Sequence, residues 1–224
     1  TLVKSSAASD VYKRQHPITL GVIPTISPFL LPHAIQTLEK KFPDLNLIIS
    51  EGQSDDLIHK VKNGELDMAI LALPYKLQGL IPIKFWSEDF FWITKKSDRR
   101  SKVKEIKASD LEFSELLLLE DGNCLKDHVL SACKMTKKKS NISFKASSLN
   151  TLVQFVKSGL GTTLVPKMAV NQLMLGNNDL KSLHLKGEGP HREIALIIRP
   201  SYGGIQDAKL LGLELKEILD KNFG

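Results

Sequence analysis

The two cysteines are the side chains best suited to chemistry in this chain. They lie in the segment Leu116-Leu-Leu-Leu-Glu-Asp-Gly-Asn-Cys124-Leu-Lys-Asp-His-Val-Leu-Ser-Ala-Cys133. Two cysteines are either inert buried thiols or a couple that passes between dithiol and disulfide, and their local setting decides between the two. The segment reads as strand, turn and helix. An apolar run, Leu116 to Leu119, precedes the turn pair Asp121-Gly122, and Cys124 then falls at or near the first residues of a helix running from about 125. Exposed backbone N–H groups and the positive end of the helix dipole favour a thiolate there, with Lys126 as a counter-charge two residues on. Cys133 differs, because Leu125, Val129 and Cys133 recur every four residues and share a buried face. A straight helix holds the two α-carbons roughly 13 Å apart, at ~1.5 Å per residue, about twice what a disulfide tolerates. Bridging therefore requires the helix to unwind, so one sequence holds two arrangements. On spacing alone, two ordinary buried thiols are the simpler account, since cysteines in a reducing compartment are seldom bridged.

Other chemistries find little support. The histidines are scattered at His16, His33, His59, His128, His184 and His191, and the two cysteines have no pair of histidines nearby, so a zinc site is not indicated. No metal and no cofactor is expected. Gly159-Leu160-Gly161 follows a helix and lacks the third glycine of a dinucleotide fingerprint, so it reads as a helix end leading into a strand.

The elements that must position the cysteines alternate short β-rich runs with amphipathic stretches, which predicts an α/β fold. Strands are expected at Ile18 to Ile23, Leu45 to Ile49 and Met68 to Leu73. Between them lie a helix through Leu30, Ala34, Leu38 and Phe42, and one beginning at Ser54, read as its N-cap, and ending at Gly64. After Pro82 come the runs Ile83 to Trp86 and Phe90 to Thr94, where a lobe boundary is placed. A second round follows: strands Leu116 to Leu119, Ile142 to Ala146, Thr162 to Val165 and Leu183 to Leu185, with helices from about 125, 149 and 167. Ile194 to Ile198 is a strand, and Ile205 to Phe223 a long helix. The expected organisation is one lobe from 16–86 plus 195–224 and a second from 87–194 carrying the cysteines. A cleft between two such lobes is where small ligands bind.

With 224 residues, 42% of them hydrophobic and 25% charged, the composition is that of a globular chain with a real core. Residues 1–15 are polar, lack the apolar stretch of a secretory signal and stand outside the periodic pattern; they are read as a tag or non-native leader, and the protein is placed in the cytoplasm. No apolar run reaches the ~20 residues of a membrane helix. The net charge of +6 includes Arg99, Arg100 and Lys137 to Lys139, which fall in expected loops without interleaved aromatics, so no direct nucleic-acid surface is inferred.

The chain resembles the regulatory domain of LysR-type transcription regulators from His16 to its end. Gly21-Val-Ile-Pro-Thr25 with Pro28-Phe-Leu-Leu-Pro32 is similar to the family's opening strand and helix, and Gly64-Glu-Leu-Asp-Met-Ala-Ile70 to its G-x-L-D-x-A-I motif. Leu119-Glu-Asp-Gly-Asn-Cys124-Leu-Lys-Asp127, with a second cysteine nine residues later, is similar to the peroxide sensors of the family, the OxyR group. The resemblance implies two Rossmann-like lobes in the manner of type 2 periplasmic binding proteins. It implies that Cys124 is the peroxidatic thiolate and Cys133 the resolving thiol, in a disulfide switch that controls transcription. It implies peroxide binding by Thr25, Ser54 and Asn123, and support of the thiolate by Lys126, Asp127 and Arg199. The family's DNA-binding helix-turn-helix is absent from this chain, so promoter contacts are expected only through that missing domain. A homodimer of this domain and a full-length homotetramer are implied, with hydrogen peroxide as the effector, glutaredoxin or thioredoxin as reductant, and no steady enzymatic turnover. The chain departs from the group in having Asn123 and Lys126 where histidine and arginine are usual, and Ser54 where threonine is common; an asparagine hydrogen-bonds peroxide but takes no proton. The alternative is a sensor of a small organic metabolite in which both cysteines are structural.

Overall fold

A computed structural model describes residues 17–135, 146–187 and 189–224. Expectations for residues 1–15, for Lys137 to Lys139 and for most of the Ile142 to Ala146 strand lie outside the described residues.

The chain divides into two compact units, one holding residues up to Trp86 together with Ile194–Gly224, the other Ser87–Glu193. The second crossing falls between Glu193 and Ile194, one residue before the break drawn from the sequence.

The first unit is built on a five-stranded sheet. Its strands are β1 (Ile18–Val22), β2 (Leu47–Glu51), β3 (Met68–Leu73), β4 (Ile81–Glu88) and β9 (Arg192–Ile198), in the order β2-β1-β3-β9-β4. β1 is parallel to both β2 and β3. All six residues of β3 are buried, as a central strand covered on both faces requires, and that is why it reads as one continuous apolar run. Helix α1 (Ser27–Lys41) lays Phe29, Leu30, Ala34 and Leu38 inward, and Lys41 in its last turn bonds Glu214 at 2.6 Å. Glu214 belongs to the long helix α6 (Ile205–Phe223). Helix α2 (Ser54–Asn63) buries Leu57, Ile58 and Val61 and ends at Gly64, whose φ of +79° is the left-handed conformation that glycine adopts without strain. The expected N-cap role of Ser54 is corrected. The extended residue ahead of the helix is Gln53 (φ −71°, ψ 156°), so Ser54 is already helical and no side chain caps this end.

The second unit holds a four-stranded sheet of β5 (Phe90–Lys95), β6 (Glu105–Lys107), β7 (Thr163–Pro166) and β8 (Leu180–Lys186), in the order β6-β8-β5-β7. β5 is antiparallel to β7 and β8, while β6 runs parallel to β8. Helices α3 (Cys124–Ala132), α4 (Leu149–Lys157) and α5 (Lys167–Met174) belong to this unit. Ser148 caps α4 by accepting from the Thr151 N–H at 3.2 Å. Leu116 to Leu119 does not form the expected strand. It makes only isolated bridges, Leu116 to Thr162 and Leu119 to Ala146, and its apolar character reflects burial of Leu116, Leu117 and Leu119 rather than a full ladder. A wholly buried ion pair fixes the start of this unit to its end. Arg192 donates to Glu88 Oε1 through Nε at 2.8 Å and Nη2 at 2.6 Å, while Glu88 Oε2 accepts from the Met168 N–H at 2.9 Å.

Candidate functional site

The cysteine segment is shaped by its turn. Gly122 has φ +96°, a backbone conformation that favours glycine, and it turns the chain into Asn123, the extended N-cap of α3 (φ −88°, ψ 115°). The helix begins at Cys124 itself, one residue earlier than expected, so the Cys124 side chain stands in the first turn. The Asn123 side chain makes no capping bond, which leaves the first-turn N–H groups of α3 without a side-chain cap at that position. An anion forming on the Cys124 sulfur meets the positive end of the helix dipole.

Cys133 occupies the other end as the C-cap, donating its backbone N–H to Val129 O at 3.0 Å. Neither cysteine is in a disulfide, and both are buried, 4% and 7% exposed. Burial pushes the Cys133 thiol up to about 11, so at neutral pH it is protonated and a poor nucleophile while the helix stands. Leu125 and Val129 press the underside of α3 onto Leu117, Leu119, Leu152 and Leu164, leaving a void of only about 10 Å³, room for about one water at most. The intact helix thus holds the two cysteines at opposite ends, with their α-carbons roughly 13 Å apart by the rise of ~1.5 Å per residue.

The remaining expected site residues fall as follows. Asn123 is buried beside Cys124, and Asp127 is exposed on the first turns of α3. Lys126 does not stand as a free counter-charge, because its Nζ donates to Asp121 Oδ1 at 2.8 Å. Thr25 and Ser54 belong to the first unit, just beyond the C-terminal ends of the adjacent parallel strands β1 and β2, and both are buried. Arg199 follows β9 in the same unit. It donates to Leu66 O at 2.9 Å, stands 3.8 Å from Asp67 Oδ1 and lies over the Tyr202 ring.

One residue of the segment was not singled out from the sequence. His128 is buried on α3 four residues after Cys124, and the spacing that places it one helical turn away was the available signal. Among the described residues no cluster of three or more histidine, cysteine or carboxylate side chains could hold a metal ion, and no helix is long and apolar enough to cross a membrane.

The described residues thus form two compact units, the second of which carries both cysteines on a single helix. Residues 13–211 match the family model described as LysR substrate binding domain, and the chain belongs to that family. It is 41% identical over 182 residues to the HTH-type transcriptional regulator EstR of Acinetobacter baylyi, covering 81% of this chain and 60% of that protein. It is 32% identical over 199 residues to the DNA-binding transcriptional dual regulator OxyR of Escherichia coli, covering 89% of this chain and 65% of that protein. The chain therefore spans somewhat under two thirds of these relatives. Among solved structures it is similar to the reduced form of the regulatory domain of OxyR2 from Vibrio vulnificus, at 37% identity and a TM-score of 0.82, covering 92% of this chain and 96% of that one. Both of these relatives are named as transcriptional regulators, and OxyR regulatory domains are among the solved structures this chain is similar to.

Proposed function

We propose that this chain is the peroxide-sensing regulatory domain of a LysR-type transcription regulator. Cys124 is oxidised to a sulfenic acid by hydrogen peroxide, and Cys133 then displaces water from it to form a disulfide. The observation that carries the reading is the placement of the two unbridged cysteines at the first turn and the C-cap of one nine-residue helix, in a chain similar to OxyR regulatory domains. The helix keeps the reduced state from bridging spontaneously, and its loss is the structural change that oxidation reports.

In the full-length protein the domain works as a homodimer within a homotetramer in the cytoplasm, and promoter DNA is bound by a helix-turn-helix domain outside this chain. The disulfide is reset by a dithiol reductant of the glutaredoxin or thioredoxin kind, so peroxide is sensed rather than turned over. The test is a reporter gene driven by the full-length regulator. Cys124→Ser should abolish the response to peroxide; an intact response in that variant would overturn the reading.

The similarity to EstR at 41% identity favours a second reading, in which the domain senses a different effector and the cysteines are structural. That reading requires thermal stabilisation by an organic ligand with both thiols still reduced.

A further inference from the structure

The thiol of Cys124 must lose a proton before its sulfur can attack, and the oxygen that leaves peroxide must gain one. Asn123 beside it takes no proton, and Lys126 is already engaged with Asp121. Asp121 and Asp127 are exposed to water. Among residues 120–133, His128 is the one buried titratable side chain apart from the two cysteines, 3% exposed.

Its position on the helix is the second observation. Residues four apart on an α-helix are neighbours, with about 5–6 Å between their β-carbons. Helical side chains of this length lean toward the N-terminus and cover the preceding turn, so the imidazole of residue 128 is carried over residue 124 rather than away from it. Both side chains are buried on α3, where burial disfavours a lone thiolate but leaves its attraction to a neighbouring imidazolium less screened than in water, so a thiolate forming there depends on such a partner.

We infer that His128 is the proton-transfer partner of Cys124 in the reaction with peroxide; this rests on the peroxide reading of Cys124 proposed above. The imidazole takes the thiol proton. The thiolate sulfur attacks one peroxide oxygen, forming the S–O bond as the O–O bond breaks, and the sulfur loses two electrons to the peroxide. The attacked oxygen keeps its hydrogen and remains as the sulfenic acid. The other oxygen leaves as hydroxide and receives the proton held by His128, so one thiol and one hydrogen peroxide give one sulfenic acid and one water, with the imidazole restored.

The experiment uses the chain with Cys133→Ser, so that Cys124 is the single reacting thiol, with and without His128→Gln, which retains hydrogen-bonding groups but takes no proton. Two rates are measured at neutral pH: oxidation of Cys124 by hydrogen peroxide and its alkylation by iodoacetamide. Loss of a positioned acid–base group slows such steps on the order of a hundredfold, and a fall of at least about tenfold in both rates is expected. Unchanged rates in a variant with native circular dichroism would overturn the assignment. If alkylation depends on His128 while peroxide fails to oxidise even the parent, the pairing stands and the peroxide reading falls. Should His128→Gln not fold, the imidazole nitrogen resonances of His128 in the folded parent decide. They should change on Cys124→Ser, and identical resonances would overturn the pairing.

Discussion

Removing two methyl groups from the underside of α3 should make the disulfide easier to form. Val129 is 2% exposed and packs with Leu125 against the apolar residues beneath the helix. That packing exists in the reduced state, and bridging Cys124 to Cys133 must break it, because a standing helix keeps the α-carbons about twice too far apart. Val129→Ala deletes two methyl groups at ~0.8 kcal/mol each, weakening the reduced form alone by about 1.5 kcal/mol. For a two-electron couple ~30 mV corresponds to ~1.4 kcal/mol. Destabilising the reduced form favours the oxidised one, so the midpoint potential should move roughly 30 mV more negative. Val153→Ala is the control, since Val153 is equally buried but lies on α4, outside the bridging segment. It should lower overall stability and leave the potential where it was. The assay is equilibration in glutathione buffers of graded poise, with alkylation and mass spectrometry to count free thiols. Equal shifts for the two variants, or no shift for Val129→Ala, would refute the claim that α3 unwinds on oxidation.

Other consequences follow from the ion pairs of the second unit. Glu88→Gln removes the carboxylate that the buried Arg192 guanidinium meets at 2.6 Å and should cost about 3–5 kcal/mol, read as a lower urea midpoint at constant slope. Burial pulls the His184 imidazole down, but its bonds to Asp89 at 3.0 Å and Glu105 at 3.1 Å outweigh this and raise it above its ordinary 6.5. A raised folded value means a stabilising contribution fully present below 6.5 and lost as pH rises through the folded value. His184→Gln should therefore cost about 0.2–1 kcal/mol in mildly acidic solution and less in alkaline solution, seen by comparing chemical unfolding at the two pH values.

The elements read most faithfully from sequence are those whose signal is local. β3 is Met68–Leu73, as expected, because a fully buried strand bounded by Asp67 and Pro74 shows itself as one apolar run. The end of α2 at Gly64 was legible for the same kind of reason, since a left-handed C-cap asks for glycine. Leu116 to Leu119 misled because an apolar run records burial and not which backbone it pairs with; here Leu117 N and Glu120 N each find one distant carbonyl, Thr162 O and Ala146 O. β6 escaped notice because Glu105-Ile-Lys107 is a three-residue edge strand with a single buried side chain and no periodicity to detect. The Glu88–Arg192 pair joins residues 104 positions apart, a tertiary contact that no local pattern encodes. Within the site, the placement of Cys124 in the first helical turn was legible from Asp121-Gly122, whereas the capture of Lys126 by Asp121 depends on how the turn folds back.

If these two thiols form one peroxide-driven switch, peroxide must join them to each other. This is tested most directly by adding stoichiometric hydrogen peroxide to the chain and mapping its peptides by mass spectrometry, with and without prior alkylation. Rapid loss of two hydrogens, located in a Cys124–Cys133 crosslink and prevented by alkylation, is expected; two thiols still reduced after long exposure would contradict the switch.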